Sequence, residues 1–548
     1  MGPVEDVLEE TRGLGETMDS WFDRIQVPDT RFELHYGSRM LRCFSNRPEN
    51  VHDLLANAVA RRPDGVAAIC GDETITYAEL NLRVGRAAAG LAARGVGQGD
   101  RVAMILANSI EFVVVLFAVA RLGAVSVPLN IRHTEAENRH ILNDCATRAV
   151  VYEASLSERI PTRDGVPTLE HSIAVDRTRA VPLADLLEAE ALTDVTQVPE
   201  ESTATILYTS GTTGRPKGAM LTHFSIAHSV IHYTTVMQLT EVDRIMVAVP
   251  MSHVTGVIAL IDTAAYCMGA LIIMPAFKAA DFIDLASRHG MTFTVIVPAM
   301  FNLCLLSPNF DGADLTKWRI SGYGGAIMPE VTLERIAEKL PNLKLVNAYG
   351  STETTSPAVL MPPDQAVARK EFVGLTLPCA HIAVMDENAV EVPRGTAGEV
   401  YIGGAMVVPG YWANPDATER EFKAGYWKSG DLGIMDEQGY LRIIDRIKDV
   451  INRGGYKIYA SEVENVLLDH PAVLEVAVVA KPCPVLGERA HAFLVLRDSE
   501  VSDAELRQHC VTLLSDYKVP ESFVRLDLTL PRNANGKILK RELRQRLA

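Results

Sequence analysis

Apolar and polar residues alternate along the chain in two periodic patterns, one typical of strands and one typical of helices. Thr76 and Glu79 stand three residues apart ahead of a helical run, a capping-box spacing that predicts a helix start. A strand-like stretch at 101–106 follows, then a helical run ending near Gly123 and a strand-like stretch at 125–127. Because strands and helices alternate in this way, the sequence predicts an α/β fold with helix-covered, mostly parallel sheets.

The C-terminal part of the chain has its own, smaller pattern. Its predicted elements are two helices, each after a capping-box spacing, and two strands between them: Ser461/Glu464, Ser502/Glu505, 473–479 and 490–496. A charged stretch at 446–449 marks the boundary. We therefore predict an N-terminal extension at 1–50, a large domain at 51–446 and a small, mobile α+β domain at 447–548.

Composition and charge narrow the class of protein. The 548 residues carry a formal net charge of −16, which argues against a non-specific nucleic-acid binder. The most apolar stretch, 112–120, is far shorter than the roughly 20 apolar residues of a membrane span, so it predicts a buried helix. The N-terminus lacks the apolar segment of a secretory signal, and the eight cysteines lack the paired spacing of a zinc site. The sequence predicts a cytoplasmic protein with reduced cysteines and no membrane span.

A glycine- and hydroxyl-rich segment at 208–218 gives the strongest chemical signal. It reads Tyr-Thr-Ser-Gly-Thr-Thr-Gly-Arg-Pro-Lys-Gly, in which glycines let N–H groups point inward and hydroxyls and a lysine add donors. Such a loop suits a polyphosphate, although it is not a Walker A loop. The alternative is a flexible linker, which the strand-like run before the segment disfavours. The candidate phosphate-binding residues are Thr209, Ser210, Gly211, Thr212, Thr213, Gly214 and Lys217.

This segment resembles the phosphate-binding loop of the adenylate-forming superfamily, which includes acyl-CoA synthetases, carrier-protein adenylation domains and firefly-type luciferases. The resemblance continues at 347–353, Asn-Ala-Tyr-Gly-Ser-Thr-Glu. It implies that Tyr349 lies against the adenine, Asn347 near its amino group, Thr352 at a phosphate and Glu353 on Mg²⁺. A carboxylate is a ligand that Mg²⁺ prefers.

Further segments resemble the nucleotide and thiol sites of the family and follow in the family's order. The loop at 323–329 resembles the one between nucleotide and acyl group, and 427–431 resembles the ribose-binding motif. The residues that this resemblance implies are Gly325, Ala326 and Ala348 beside the nucleotide, Asp431 and Arg446 at the ribose, Lys448 at the hinge, and Gly455 at the pantetheine route.

Lys537 lies in a segment, 530–537, that resembles the family's C-terminal catalytic lysine segment. Asn533 and Asn535 are mild departures from that pattern and leave the final Gly-Lys intact. A lysine near a chain end is more often a solvated charge, but the upstream motifs favour the catalytic role. The segment Gly-Tyr-Trp at 410–412 matches a structural motif, and we predict that it is core without a catalytic role.

The resemblance implies a reaction in two steps. A carboxylate attacks the α-phosphorus of ATP and expels pyrophosphate, which requires alignment and charge neutralisation rather than a general base. We expect Lys537, Mg²⁺ on Glu353 and the 208–218 loop to supply these. A thiol, predicted to be that of coenzyme A, then attacks the acyl-adenylate after the small domain has rotated about Lys448.

The segment at 250–256, Pro-Met-Ser-His-Val-Thr-Gly, resembles the gate beside the acyl pocket. The alternative for its histidine is a hydrogen-bonded core residue. The predicted pocket is mostly apolar with two hydroxyls, which favours a medium-chain, branched or aromatic monocarboxylate over acetate or a dicarboxylate. Its predicted lining is His253, Val254, Thr255, Phe301, Ala326, Ala348 and Thr355.

Three other functions share some of these features. A stand-alone adenylation enzyme would load a carrier protein in trans, and a luciferase-type oxygenase would have the same motifs. A non-catalytic nucleotide-binding sensor would keep the fold, but it would not need a competent residue at every catalytic position. Residues 1–50 lie outside the resemblance and are expected to pack on the large domain or to form a contact in a homodimer.

Overall fold

The computed structural model describes residues 19–176, 178, 183–210, 216–325, 328, 330–497, 501–532 and 538–547. Its α-helices are α1 (Trp21–Arg24), α2 (Val51–Arg61), α3 (Tyr77–Ala93), α4 (Ile110–Arg121), α5 (Glu135–Asp144), α6 (Ala184–Leu187), α7 (His223–Val236), α8 (Thr263–Cys267), α9 (Ala279–His289), α10 (Pro298–Leu305), α11 (Glu330–Lys339), α12 (Pro415–Glu421), α13 (Ala460–Leu468), α14 (Asp503–Leu513) and α15 (Lys540–Gln545). A π-helix spans Thr255–Asp262, and 3₁₀-helices span Ala154–Arg159, Thr352–Thr354, Ile447–Asp449 and Asp516–Lys518.

The strands fall into a hairpin and three larger sheets. They are β1 (Thr30–His35), β2 (Arg39–Phe44), β3 (Val66–Cys70), β4 (Glu73–Thr76), β5 (Arg101–Ile105), β6 (Val125–Pro128), β7 (Ala149–Glu153), β8 (His171–Val175), β9 (Thr203–Ser210), β10 (Pro216–Thr222), β11 (Arg244–Val247), β12 (Ala270–Ile273), β13 (Phe293–Ile296), β14 (Ile320–Tyr323), β15 (Lys344–Tyr349), β16 (Val359–Leu360), β17 (Gly374–Thr376), β18 (Ala380–Met385), β19 (Gly398–Gly404), β20 (Phe422–Lys423), β21 (Tyr426–Met435), β22 (Tyr440–Arg446), β23 (Ile451–Arg453), β24 (Tyr456–Ile458), β25 (Val473–Cys483), β26 (Gly487–Leu496) and β27 (Ser522–Arg525).

The first part of the chain folds as the alternating pattern predicts. Thr76 accepts a hydrogen bond from the Glu79 N–H, and the Glu79 side chain accepts one from Thr76, so the predicted capping box starts α3. Strands run in the order β10-β9-β6-β5-β7-β8, and every neighbouring pair except β10-β9 is parallel. The apolar stretch at 112–120 lies in α4, every residue of which is buried, as predicted. Among the described residues no helix is long and apolar enough to cross a membrane.

A larger sheet joins a parallel part to an antiparallel part. Strands β12, β11, β13, β14 and β15 are mutually parallel, and β16 then pairs antiparallel with β15. The order continues through β17, β22, β21, β19 and β18, all antiparallel. The end of β15 is therefore a switch in strand direction, a place where loops after parallel strands can gather ligand-binding groups.

The C-terminal strands form a separate five-stranded sheet with β26 at its centre. Two helices, α13 and α14, with the strands β25 and β26 between them, are found as predicted. The predicted capping box at Ser461 and Glu464 is wrong, because α13 begins at Ala460 and lacks a side-chain cap. The Ser461 hydroxyl instead donates to the Ile444 carbonyl, and Glu464 accepts from the Val478 N–H at 2.7 Å.

The described part of the N-terminal extension packs on the large domain. Trp21 is buried and its Nε1 donates to the Leu375 carbonyl, while the β1-β2 hairpin is tied to α7 by a hydrogen bond from the Phe44 N–H to His228. The Arg47 guanidinium forms ion pairs with both Glu33 and Glu200. Residues 19–50 are thus part of the large folded unit.

Candidate active site

The predicted phosphate loop connects the antiparallel strands β9 and β10. Thr209 pairs in register with Lys217, which brings the two described ends of the loop together. Four predicted phosphate-binding residues, Gly211, Thr212, Thr213 and Gly214, lie outside the described residues. The Thr209 hydroxyl donates to Glu353 Oε1 at 3.4 Å, so the loop meets the segment that follows β15.

Glu353 is the buried carboxylate at the centre of this meeting point. It lies in the 3₁₀-helix with Thr352, and both side chains are buried. The Tyr411 hydroxyl donates to Glu353 Oε1 at 2.9 Å and the Ser351 hydroxyl donates to Oε2 at 2.5 Å. A buried carboxylate surrounded by hydroxyls is a set of oxygen donors that suits Mg²⁺. Glu353 therefore fits the predicted metal position.

Lys217 has a partner that the sequence did not indicate. Its Nζ lies 2.6 Å from both carboxylate oxygens of Glu421 and 4.3 Å from the centre of the Tyr411 ring. Burial raises the pKa of Glu421, but hydrogen bonds from Lys217, Tyr411 and Arg420 together outweigh it and the net shift is downward. The Tyr411 hydroxyl also lies 2.7 Å from Glu421. Tyr411 therefore contacts both Glu421, which pairs with Lys217, and Glu353, the candidate Mg²⁺ ligand.

Asp431 and Arg446, the predicted ribose residues, are direct cross-strand partners on β21 and β22. Arg446 Nε lies 2.7 Å from Asp431 Oδ1, and the Tyr349 hydroxyl donates to Oδ2 at 2.7 Å. Burial and the neighbouring Asp431 raise the pKa of Tyr349 well above its usual range, so the phenol stays protonated. The structure thus brings the predicted adenine residue and both predicted ribose residues into contact.

The glycine loop after β14 lies against the end of β15. A side chain at Gly324 would meet the Ala348 carbonyl at 2.4 Å, so only glycine permits this close approach. Gly325 has a φ of +76°, which also favours glycine. Asn347 lies beside Tyr323 and lowers the pKa of its phenol, although burial of Tyr323 outweighs this. Ala326, predicted at this position, lies outside the described residues.

The predicted hinge residue, Lys448, lies in a 3₁₀-helix between β22 and β23. Burial lowers the pKa of its ammonium below the usual value. Its carbonyl and the Asp449 carboxylate both accept hydrogen bonds from Arg544 on α15, which ties the hinge to the last helix. Gly455 has a φ of +91°, and no atom lies near the position of an added side chain. Lys537 lies outside the described residues, between Arg532 and Ile538, which pair as a β-bridge.

Among the predicted acyl-pocket residues, Ala348 lies on β15, and the other described ones lie in or beside helical segments. His253 Nδ1 lies 3.3 Å from the Thr255 hydroxyl, and burial lowers the pKa of this imidazole, which keeps it neutral. Phe301 on α10 is stacked on Trp318 at 5.9 Å between ring centres. Thr355 is fully buried and donates to Ser225 on α7. Val254, at the N-terminal side of the π-helix, is also buried.

The sequence analysis assigned no site role to three residues, Tyr411, Glu421 and Asp262. Tyr411 was predicted as core, and it is 2% exposed, but its hydroxyl also contacts Glu353. Glu421 had no sequence signal, since it lies 204 residues from Lys217. Asp262 did have one, because it is the only acidic residue in the apolar run at 254–267.

The chain is similar to known proteins over most of its length. The model of the family described as AMP-binding enzyme matches residues 55–412, and that of the AMP-binding enzyme C-terminal domain matches 462–537. The long-chain-fatty-acid–CoA ligase FadD13 of Mycobacterium tuberculosis is 34% identical, covering 86% of this chain and 93% of its own. The fatty acid–[acyl-carrier-protein] ligase ScoC of Streptomyces coeruleorubidus is 35% identical, covering 88% and 94%.

One similar solved structure contains ligands. The o-succinylbenzoate coenzyme A synthetase MenE of Bacillus subtilis, in complex with ATP and magnesium ion, is 30% identical with a TM-score of 0.80. The match covers 91% of this chain and 100% of that one.

Proposed function

We propose that this chain, which belongs to the AMP-binding enzyme family and is an acid–thiol ligase, adenylates a medium-chain, branched or aromatic carboxylic acid with Mg-ATP and passes the acyl group to coenzyme A. The observation that carries the proposal is the meeting of Thr209, Lys217 and Glu353 at the end of β15, beside the Tyr349–Asp431–Arg446 contacts. A polyphosphate, a metal ion and a ribose each have a suitable set of groups there.

The chain's own residues account for the first half-reaction. The acid is ionised at neutral pH, so one of its oxygens can attack the α-phosphorus, and the bond to pyrophosphate breaks. Glu353 would hold Mg²⁺, which neutralises phosphate charge when bound. Asp431 would accept hydrogen bonds from ribose hydroxyls, and Arg446 holds its carboxylate in place. The hydroxyls of the 208–218 loop and Lys217 would orient the phosphates.

The second half-reaction transfers the acyl group. The thiol sulfur attacks the carbonyl carbon of the acyl-adenylate, the bond to the phosphate oxygen breaks, and AMP leaves. We assign Lys537 to the first step only, and Lys448 to the hinge about which the small domain turns between steps. The contact of Arg544 with Asp449 supports a hinge that moves with the last helix.

The acid is proposed from the lining of the pocket. Val254 and Phe301 are apolar, and the hydroxyls of Thr255 and Thr355 already lie close to partners within the protein. No hydrogen bond or ion pair joins a described arginine or lysine to these residues, so a second carboxylate would lack a partner. Relatives named for fatty and for aromatic acids fit such a pocket.

The test is AMP and pyrophosphate release by the purified protein with Mg-ATP and a panel of carboxylic acids, each with and without coenzyme A. We expect AMP release that requires an acid and rises with coenzyme A. A preference for acetate or a dicarboxylate would contradict the proposed acid class. The absence of acid-dependent pyrophosphate release across the panel would contradict the adenylation step.

A carrier protein is the second candidate for the acyl acceptor, and the similarity to ScoC favours it. In that case pyrophosphate release would require the acid but would be indifferent to coenzyme A. Transfer from the acyl-adenylate to an added phosphopantetheinyl carrier protein would then identify the acceptor.

A further inference from the structure

Asp262 is a buried carboxyl group without a partner. It is the last residue of the π-helix and is 1% exposed. Among the described residues, neither of its oxygens has a hydrogen-bond partner. Burying a polar group in this way is destabilising, so folded proteins rarely do it without a reason.

The next residue, Thr263, is also polar but has a hydrogen-bond partner, so an unpaired polar group is not a general feature of this part of the helix. The Thr263 hydroxyl donates to the Ile258 carbonyl at 2.8 Å and is thereby satisfied within the helix. Asp262 has no such bond, and the residues before it, 256–261, are apolar. Its carboxyl group is the exception in an otherwise apolar helix.

The π-helix connects this carboxyl group to the proposed acyl pocket. The Val257 N–H donates to the His253 carbonyl, so the helical backbone begins at the predicted gate and ends at Asp262. The π-helix packs against α7 on one side and against β11 and β13 of the large sheet on another. A π-helix is rare and occurs frequently at functional sites.

The surroundings of Asp262 decide which ligand it would suit. Burial raises the pKa of its carboxyl group well above the usual value, and no charged neighbour opposes this. Burial without an opposite charge favours the neutral form of the carboxyl group, which can both donate and accept a hydrogen bond. A hydroxyl group has the same two capacities, whereas an ammonium group would add a buried charge.

We propose that Asp262 is a binding subsite for a hydroxyl group that the acid substrate carries at the end remote from its carboxylate. This inference rests on the proposed function and narrows its substrate class to hydroxylated acids. A site built to hydrogen-bond a hydroxyl leaves its own polar group unpaired when the hydroxyl is missing, and so discriminates strongly against the unsubstituted acid.

The experiment compares acids in matched pairs, identical except for a hydroxyl at the remote end, over a series of chain lengths and aromatic rings. We expect the unmodified enzyme to prefer one hydroxylated acid over its unsubstituted partner by about 10,000-fold in kcat/KM for pyrophosphate release. Asp262→Leu should reduce that ratio at least about tenfold and Asp262→Asn should reduce it less, since an amide still forms hydrogen bonds. Thr263→Val is the control and should leave the ratio unchanged.

Two readouts distinguish the loss of the subsite from a failure of the variant to fold. The melting temperature should rise in Asp262→Leu, because an unpaired buried carboxyl group is removed. The matched pairs on the unmodified enzyme need no variant at all. Equal kcat/KM values for the two acids of every pair would overturn the proposed subsite. A preference for an acid that carries an amino group in place of the hydroxyl would overturn it as well. Activity on unsubstituted acids would then still support the proposed function, whereas no activity on any acid would contradict both.

Discussion

The nucleotide side of the candidate site differs from the helical layer formed by α7 and the π-helix in whether its buried titratable groups have charged partners. On the nucleotide side, Asp431 is paired with Arg446, and Lys217 is paired with Glu421. In the helical layer, His228 and Asp262 are buried, and neither forms an ion pair with a described residue. Burial lowers the pKa of His228 to about 3 and raises the pKa of Asp262.

The difference shows that burial alone does not decide whether a side chain is charged. A partner with fixed geometry keeps a carboxylate ionised, whereas desolvation without a partner favours the neutral form. Charges near the candidate phosphate and ribose positions suit an anionic ligand and its metal. Neutral groups in the helical layer suit an uncharged acyl group, including one that carries a hydroxyl, and the predictions below test this division from its largest expected effect to its smallest.

The largest effect is expected at Lys537, a charged residue that is assigned to the nucleotide side and lies outside the described residues. Lys537→Ala should reduce acid-dependent pyrophosphate release about 100- to 1,000-fold, the usual effect of removing one positioned donor from a transition state. Thioester formation from supplied acyl-adenylate should change by less than about threefold, because that step is proposed to occur with the small domain rotated.

Lys481→Ala is the matched control, since this lysine is exposed on β25 of the five-stranded C-terminal sheet. It should leave both half-reactions unchanged. Equal losses of both half-reactions in Lys537→Ala would contradict the assignment of this lysine to one step.

The second test removes the charge of Asp431. Asp431→Asn should raise KM for ATP about 10- to 100-fold, because hydrogen bonds to a charged group contribute about 1.5–3 kcal/mol each. Asp311→Asn removes the same charge from an exposed ion pair with Lys339, and such pairs contribute about 0–1 kcal/mol. If the two variants had the same KM for ATP, Asp431 would not belong to the nucleotide side.

The sequence predicted those parts of the molecule that depend on neighbouring residues or on motifs in fixed order. Thr76 and Glu79 cap α3 because both hydrogen bonds lie within one turn. Asp431 and Arg446 were both assigned to the ribose from motifs, and the structure pairs them in register. The predicted small domain has the predicted order of strands and helices.

Contacts between distant segments could not be predicted in the same way. Ser461 and Glu464 have capping-box spacing, but tertiary contacts with the Ile444 carbonyl and the Val478 N–H replace the local bonds. The partner of Lys217 lies 204 residues away on α12, and no local pattern marks it. Asp262 stood out as a lone acid in an apolar run, but its lack of a partner appears only in the folded chain.

The third test uses the pH dependence of stability at Asp262. Because the folded pKa lies above the unfolded value of 3.8, the carboxyl group costs stability as pH rises from that value toward the folded pKa. Asn does not titrate, so the free energy of unfolding of Asp262→Asn minus that of the unmodified protein should increase with pH. The slope should approach about 1.4 kcal/mol per pH unit. Denaturant unfolding between pH 5 and pH 8 measures it, and a constant difference would show that Asp262 is ionised throughout.

The smallest effect is expected at His228, with the opposite sign. Its Nδ1 lies 2.9 Å from the Phe224 carbonyl and its Nε2 accepts from the Phe44 N–H, so the ring is held as the neutral Nδ1–H form. The folded pKa of about 3 lies below the unfolded 6.5, so stability present above pH 6.5 is lost as pH falls toward 3. By pH 5 this loss should reach about 2 kcal/mol in the unmodified protein.

His228→Gln does not titrate, so it should lose less stability than the unmodified protein between pH 7.5 and pH 5. His381→Gln, on the exposed His381, is the matched control and should follow the unmodified protein. The opposite pH slopes of His228 and Asp262 have one common cause, because each group is held neutral by burial in the same helical layer. If His228→Gln lost stability in parallel with the unmodified protein, the imidazole would carry a charge in the fold, and the contrast with the nucleotide side would fail at that residue.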